Sequence, residues 1–284
     1  MRKANLIKIL GLLLATAFAS TWCMNVYAGE TLDRVNSSKQ LVVGVGANWP
    51  PHGFLNDDHE LDGFDVDVAK EIAKRMDVKV KFKTPSYKLF TSGRWHKRWD
   101  LISYSVTPTK ARAKVVNFPA IYYYSTYVFV VHKDSDAKTR ANLKDATFGV
   151  EGGTTSDDYL HHDLQIDAKL MPSFKYLNYT PKMTTYNSSM LPFEDLRLGD
   201  GVRLGAILAE RQTAKDAIKN GYPVRILSND IAYQEPIALV TDKGDPEFDQ
   251  KIGSIVADMK ADGTLREFSY KWFGADYIEL DLSK

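Results

Sequence analysis

The segment 103–118 combines hydroxyl groups, a proline and an arginine in an order that suits an anion-binding site. Pro108 fits the first position of a helix, and Thr107 before it is a good N-cap residue. A helix that begins at Thr107, or two residues later, puts Arg112 within about one turn of its start. The guanidinium then reaches back toward free backbone N–H groups, because helical side chains lean toward the N-terminus. Carboxylate and phosphate groups favour such a spot. Further hydroxyl groups come from Ser103, Tyr104 and Ser105.

An ordinary capped surface helix with a solvated Arg112 explains the same segment, and these residues alone leave both readings open. The rest of the chain offers little other chemistry. The six histidines lack metal-ligand spacing, and the adjacent pair His161-His162 would point apart. No Ser-His-Asp or Cys-His set presents itself, so we expect no catalytic residue, no metal and no cofactor.

Residues 1–28 have the pattern of a secretory signal. Three basic residues lie within the first eight positions, and the apolar run 9–19 is short for a membrane span. Val26-Tyr27-Ala28 is a small-x-small cleavage site, so we expect cleavage after Ala28. Cys23 follows Trp22, which is a poor lipidation context. The alternative is an N-terminus that stays anchored in the membrane.

The composition of residues 29–284 is typical of an exported protein that is held together by a hydrophobic core. Removing residues 1–28 from the 284 leaves 256 residues, and the loss of three basic and no acidic side chains changes the net charge from +1 to −2. No basic run suggests nucleic acid as a partner. The only cysteine leaves with the signal, so disulfides cannot hold the chain. We therefore expect a soluble exported protein that is long enough for two lobes.

The elements that must position segment 103–118 follow from periodicity. A β-branched run at 39–46 predicts a buried strand, and the prolines and glycine in 48–53 predict a loop without regular structure. Helical spacing at 64–76 and clean alternation at 78–82 predict a helix and then a strand. Strand, helix and strand in this order indicate a parallel crossover.

The same reading covers the rest of the chain. Glycine-rich or polar loops follow several strands, which is where α/β sheets bind ligands. Two sets of strands and helices, divided near Tyr124, predict an α/β fold in two lobes. The irregular region 161–192 is expected to hold a long surface excursion, and the long segment between Thr155 and Glu210 is expected to lie on the surface rather than to cap a cleft. Further strands are predicted at 100–106, 127–131, 146–150, 204–208, 224–227 and 237–240, and further helices after Glu210, at 248–259 and at 265–273.

Several short motifs occur in a fixed order along the chain. They are Leu41-Val42-Val43-Gly44-Val45, Trp49-Pro50-Pro51, Gly63-Phe64-Asp65-Val66-Asp67-Val68-Ala69, Trp99-Asp100-Leu101-Ile102, Thr109-Lys110-Ala111-Arg112, Asn117-Phe118-Pro119 with Tyr122-Tyr123-Tyr124, Gly153-Thr154-Thr155, Asp262-Gly263 and Lys271-Trp272-Phe273-Gly274. In this order they resemble the motifs of the periplasmic solute-binding proteins of polar amino acid ABC transporters, the bacterial extracellular solute-binding protein family 3. The resemblance covers nearly all of residues 29–284. It implies the type II periplasmic-binding-protein fold, in which two lobes are joined by two crossover strands, here near 124–125 and 234–236. Lobe 1 would contain 29–124 and 236–284, and lobe 2 would contain 125–235.

The resemblance implies roles for residues on the lobe 1 side. Arg112 would bind the ligand carboxylate, with help from Thr107 and from the amides of Ser105 and Thr155. Trp49 stands where the family places an aromatic ring over the ligand. Tyr87 stands where a second ring often closes the other side, although it could equally be a core aromatic residue.

Glu210 stands where the family usually has an aspartate that binds the ligand ammonium. Its alternative role is a glutamate favoured by the dipole of the helix it opens. Gly46 stands where binders of basic amino acids usually carry an acid. The resemblance therefore does not identify which amino acid is bound. Candidate polar contacts that decide nothing by themselves are Asn48, His52, Tyr104 and Glu151.

The implied function is a monomeric receptor that delivers an amino-acid-like zwitterion to an inner-membrane ABC permease. Two alternatives use the same scaffold. One is a periplasmic enzyme that resembles cyclohexadienyl dehydratases, which needs an acid or base at the reacting bond. The other is an accessory or signalling protein without a transporter.

Overall fold

The computed structural model describes residues 29–93, 95–166 and 172–280, with residues 228–230 described by their backbone alone. The predicted signal, including Ala28 and Cys23, lies outside the described residues. The strands are β1 (Gln40–Gly44), β2 (Asn48–Trp49), β3 (Gly53–Leu55), β4 (Leu61–Asp62), β5 (Lys79–Lys83), β6 (Leu101–Val106), β7 (Val116–His132), β8 (Thr147–Glu151), β9 (Lys182–Tyr186), β10 (Ala206–Glu210) and β11 (Val224–Asp242). The α-helices are α1 (Glu30–Ser38), α2 (Phe64–Arg75), α3 (Tyr87–Thr91), α4 (Thr155–Leu160), α5 (Leu191–Leu196), α6 (Arg211–Lys219), α7 (Pro246–Ala261) and α8 (Thr264–Phe273).

One eight-stranded sheet runs through the molecule in the order β5-β1-β6-β11-β7-β10-β8-β9. β1 pairs in parallel with β5 and β6, which confirms the predicted parallel crossover through α2. β8 likewise pairs in parallel with β9 and β10. The two long strands β7 and β11 pair antiparallel at the centre. The result is the predicted mixed α/β fold, with a parallel group of strands on each side of one antiparallel pair.

The buried apolar residues divide between two lobes, which we define by their cores. Lobe 1 packs α2, α7 and α8 with strands β1 and β6, and it also contains the N-terminal helix α1 through Val35. Lobe 2 packs α4, α5 and α6 with strands β8 and β10. Both ends of the described chain therefore belong to lobe 1. The lobe boundaries remain a prediction, although β7 and β11 pair continuously across them at Tyr124↔Pro236 and Ser125↔Glu235.

The helical stripes read from periodicity are confirmed. The stripe of α2 from Phe64 to Met76 is buried, and so is the stripe of α7 from Phe248 to Met259. The side chain of Asp245 caps α7 by accepting from the amide of Phe248 at 2.9 Å. Gly263 follows α7 at φ 86°, a left-handed conformation that ends a helix at little cost for glycine.

The predicted helix at Thr107 or Thr109 is wrong. Residues 109–111 are irregular, and only a three-residue 3₁₀ turn, Arg112–Lys114, precedes β7. The backbone at this point pairs with lobe 2 instead of forming helical hydrogen bonds, because the amide of Lys110 donates to the carbonyl of Gln165 at 3.1 Å. Arg112 consequently has no helix N-terminus beside it.

Three further expectations need correction. Residues 48–53 are not wholly irregular, because β2 and β3 pair at Asn48↔Phe54 within a small three-stranded sheet. The strands predicted at 127–131, 224–227 and 237–240 are parts of β7 and β11, because each long strand passes through both lobes. The region 161–192 is more than a surface excursion: it supplies β9, and its Tyr176 packs on the lobe 2 core. Within the described residues, no helix is long and apolar enough to cross a membrane.

Candidate ligand-binding cleft

A cleft with a cavity volume of about 40 Å³ lies between the two lobes. It brings together seven of the eight residues selected from the sequence, and the eighth, Arg112, lies directly behind one wall. The lining residues from that set are Trp49, Tyr87, Tyr104, Ser105, Thr107, Thr155 and Glu210.

Arg112 is a buried cation without a carboxylate partner among the described residues. Its Nη1 donates to the carbonyl of Thr107 at 2.9 Å, and its Nη2 donates to the carbonyl of Gly153 in lobe 2 at 3.0 Å. The guanidinium carbon stands 5.2 Å from the centre of the Tyr87 ring, and 7% of the residue is exposed. Two carbonyl groups and an aromatic face contact the positive charge at this point, and the carboxyl groups of Glu235 and Asp158 interact with it at longer range.

Aromatic side chains form the lobe 1 wall of the cleft. The Tyr104 ring centre lies 5.7 Å from that of Tyr87 and 6.4 Å from that of Trp49. The indole Nε1 of Trp49 donates to Thr213 Oγ1 of α6 at 2.9 Å. In lobe 2, Ser188 accepts from the side-chain amide of Asn48 at 3.3 Å. These contacts close the cleft, and the second one corrects the expectation that region 161–192 stays away from it.

Glu210 ends β10 and is the N-cap residue of α6, as the sequence predicted, but its side chain does not cap the helix. Its carboxylate forms an ion pair with His52 Nε2, which belongs to the loop between β2 and β3 of lobe 1. It also accepts from Ser125 Oγ and, at 3.3 Å, from Thr213 Oγ1. Glu210 is only 3% exposed, so this acid is buried and already has a cationic partner.

The other face of His52 contacts a buried polar network. Its Nδ1 lies 3.2 Å from both Ser105 Oγ and Tyr123 Oη. Ser105 Oγ donates to Asp65 Oδ2 at 2.8 Å, and Tyr122 Oη donates to the other oxygen of the same carboxylate. The backbone amide of Ser105, expected to face the ligand, donates instead to Tyr122 Oη at 3.1 Å. Ser105 thus connects His52 to Asp65 within lobe 1.

The pKa values in this network follow from burial and charge. Burial alone lowers the pKa of His52, but the Glu210 carboxylate outweighs it, and the net pKa is raised above 6.5. Burial raises the pKa of Asp65 to about 6, although the charge of His52 and the hydrogen bonds from Tyr122 and Ser105 lower it.

Glu235 is a third buried acid, and it lies beside Thr107 and Thr155, which line the cleft. It sits on β11 at 1% exposure, and neither carboxyl oxygen has a hydrogen-bond partner among the described residues. Burial raises its pKa to about 7, although the hydroxyls of Thr107 and Thr155 and the charge of Arg112 lower it. In lobe 2, Thr155 Oγ1 also accepts from Tyr233 Oη at 3.1 Å.

The family model for bacterial extracellular solute-binding proteins, family 3, matches residues 41–275, which include both lobes and every residue of the cleft.

The chain belongs to this family.

Relatives of this family-3 protein extend over most of its length. The L-cystine-binding protein TcyJ of Escherichia coli (strain K12) is 28% identical over 267 residues, which is 93% of this chain and 94% of that protein. An ancestral arginine-binding protein bound to arginine has 30% identity and a TM-score of 0.71, and covers 83% of this chain and 99% of its own. The ancestral amino acid-binding protein AncCDT-1, a precursor of cyclohexadienyl dehydratase, has 26% identity and a TM-score of 0.74, with 86% and 100% coverage. All three are named as binding proteins, and the two solved structures support the two-lobe type II fold for this chain.

Sequence reasoning missed the roles of three buried acids or bases behind the cleft in this family-3 protein. His52 was a minor candidate contact, Asp65 entered only as part of a motif, and Glu235 was not selected. A lone acid in the apolar strand before Pro236 was the available signal for Glu235. No group of three or more potential metal ligands converges within residues 29–93, 95–166 and 172–280.

Proposed function

We propose that this chain is a periplasmic receptor that binds an amino acid or amino-acid-like zwitterion between its lobes and delivers it to an ABC import permease. The observation that carries the proposal is the pair of opposite buried charges at the cleft. Arg112 in lobe 1 lies behind one wall and has no carboxylate partner among the described residues, and Glu210 in lobe 2 lines the cleft. A zwitterion with a carboxylate and an ammonium matches this pair, and a buried charge such as that of Arg112 is costly without a partner of opposite sign.

The remaining roles are proposed residue by residue. Arg112 binds the ligand carboxylate, with the hydroxyls of Thr107 and Thr155 beside it. Trp49, Tyr87 and Tyr104 surround the ligand side chain, since their rings form one wall. Ser105 acts indirectly, because its amide and hydroxyl are both engaged within lobe 1. Binding by relatives such as the L-cystine-binding protein supports an amino acid as the ligand class.

The test is a thermal-shift screen of residues 29–284 against the L-amino acids, L-cystine, opines and compatible solutes. We expect at least one zwitterion to stabilise the protein, by about 2.7 kcal/mol at a concentration one hundred times its Kd. Calorimetry then measures the affinity, and uptake of that solute by cells with and without the chain tests delivery to a permease. Failure of every zwitterion to bind would contradict the proposal. We also propose that the signal is cleaved after Ala28, which N-terminal sequencing of the exported protein checks. The mature protein is proposed to be a monomer, which light scattering checks.

A dehydratase on the same scaffold is a second candidate. The ion pair of His52 and Glu210 places a proton donor and an acceptor on the cleft wall, as general acid–base catalysis requires. Turnover of cyclohexadienyl acids to aromatic products, followed by ultraviolet absorbance, separates the two functions. We expect no turnover, because Glu210 is occupied by partners from the protein itself. Turnover that is lost in Glu210→Gln would favour the enzyme.

A further inference from the structure

The contacts around His52 favour a proton on each of its ring nitrogens. Ser105 Oγ donates its hydrogen bond to Asp65, and Tyr123 Oη donates to Ser105 Oγ at 2.8 Å. With both hydroxyl protons used in this way, Nδ1 of His52 is the donor to them. Nε2 forms an ion-pair contact with the Glu210 carboxylate, although the geometry is not that of a hydrogen bond, and a negative charge at this position favours a proton on Nε2. His52 is an imidazolium in this arrangement, and the protein supplies its own cation to the acid of lobe 2.

The Glu210 carboxylate has little capacity left for another donor. It is paired with His52 and accepts hydrogen bonds from Ser125 and Thr213. An ionised carboxylate has about four lone-pair sites. A ligand ammonium that approaches it meets a charge already neutralised and must compete with His52. By contrast, Arg112, behind the lobe 1 wall, has no carboxylate partner among the described residues.

We propose that His52 is a specificity-determining residue that competes with the ligand ammonium for Glu210. This inference rests on the proposed function and deepens it. An amino acid binds by taking the place of the positive charge of His52, so its binding is coupled to release of a proton. A carboxylic acid with a hydroxyl in place of the ammonium leaves the ion pair intact and needs no proton release.

The charged and polar groups around His52 set the pH range in which His52 and the ligand ammonium compete for Glu210. Glu210 and Asp216 face it from lobe 2, and Asp65 and Tyr123 face it from lobe 1. The rings of Trp49 and Phe273 pack against the imidazole, with centres 4.5 Å and 5.1 Å away. Since the side chain is fully buried, water does not screen the exchange of one cation for another. At low pH, His52 keeps its proton and the amino acid is disfavoured, whereas a 2-hydroxy acid is unaffected.

The experiment is calorimetry of the full panel of L-amino acids and their L-2-hydroxy counterparts between about pH 5.5 and pH 8.5. For the wild type, we expect amino-acid affinity to rise by about tenfold or more across this range, with close to one proton released. The affinity of the 2-hydroxy acids should change by less than about threefold. In His52→Gln, the amino-acid pH dependence should flatten, and selectivity at low pH should move about tenfold toward the amino acid.

His161→Gln is the matched control, because His161 also pairs with an aspartate, Asp157 at 3.2 Å, but at an exposed site. It should behave as the wild type does. If His52→Gln does not fold, the ¹⁵N NMR chemical shifts of the His52 ring in the wild type test the inference instead. A neutral ring at pH 7 would contradict it. Identical pH profiles and selectivity in the wild type and His52→Gln would overturn it while leaving the receptor function intact. If no acid of the panel binds either protein at any pH, the proposed function fails instead.

Discussion

At the scale of single residues, the charges of the cleft differ in how the protein compensates them. Glu210 has a cationic partner in His52, whereas Arg112 donates only to carbonyl oxygens and Glu235 has no hydrogen-bond partner among the described residues. Uncompensated buried charges cost free energy in the ligand-free state. A ligand that pairs with Arg112 recovers part of that cost, so Arg112 is where affinity should be most sensitive to substitution.

Arg112→Ala should weaken binding of the zwitterion found in the screen by about 2–5 kcal/mol, because a buried charged hydrogen bond is lost. The free energy of unfolding should change by only about 1 kcal/mol, since two bonds to carbonyls are replaced by solvation. Calorimetry and urea unfolding measure the two quantities. Arg266→Ala removes an arginine paired with Asp276 at the surface and should change neither. Unaltered affinity in Arg112→Ala would show that the ligand carboxylate binds elsewhere.

At the scale of elements, the junction of the β2–β3 loop with α2 positions His52. The amides of Phe64 and Asp65 donate to the carbonyls of Pro51 and His52, at 3.0 Å and 2.8 Å. Gly63 precedes α2 at φ 125°, where a side chain is strained. An added Cβ would lie 2.3 Å from the His52 carbonyl oxygen, which is a backbone atom that cannot rotate away. The loop and the helix therefore approach each other at a distance that only glycine allows.

Gly63→Ala should destabilise the protein by more than about 2 kcal/mol, because backbone strain adds to a steric clash. Gly274→Ala is the matched control: its φ is 71°, and no atom lies within 4 Å of the added Cβ. Gly274→Ala introduces the backbone strain without a steric clash, so it should lower the free energy of unfolding by about 1 kcal/mol. Urea unfolding measures both. Equal losses would mean that the close approach at His52 contributes nothing.

At the scale of the whole molecule, the shifted groups of the cleft act on stability in the same direction. The folded-state pKa of Glu235 is raised from 4.5 to about 7, that of Asp65 is raised from 3.8 to about 6, and that of His52 lies above 6.5. Between the unfolded and folded values, the folded protein binds more protons than the unfolded chain does. Stability must then fall as the pH rises through this range.

Without ligand, the free energy of unfolding should be lower at about pH 8 than at about pH 5. Glu235→Gln should remove part of this slope and stabilise the protein at high pH by an amount on the order of 3 kcal/mol, since a buried carboxylate is replaced by a neutral amide. At low pH, the difference should disappear. Urea unfolding across this pH range is the measurement, and Glu267→Gln, at an exposed position of α8, is the control. A slope that Glu235→Gln leaves unchanged would mean that Glu235 ionises normally.

The sequence by itself determined the periodic and ordered features. The stripes of α2 and α7, the parallel pairing around β1, Glu210 at the start of α6 and the family were all readable, because each is written in local spacing or in motif order. Tertiary structure decided the rest. The backbone at Thr109 and Lys110 pairs with residues 165–166 of lobe 2 instead of starting a helix, and propensity could not reveal that partner.

The environment of the candidate acids was likewise decided only in three dimensions. His52 and Glu210 are 158 positions apart in the sequence, yet they form one buried ion pair. Whether a buried carboxylate has a cationic partner in direct contact, as Glu210 does, or only hydroxyl groups and a more distant charge, as Glu235 does, depends on groups that strands from both lobes bring together. Burial and neighbouring charge then set its protonation, and neither quantity is encoded in local sequence.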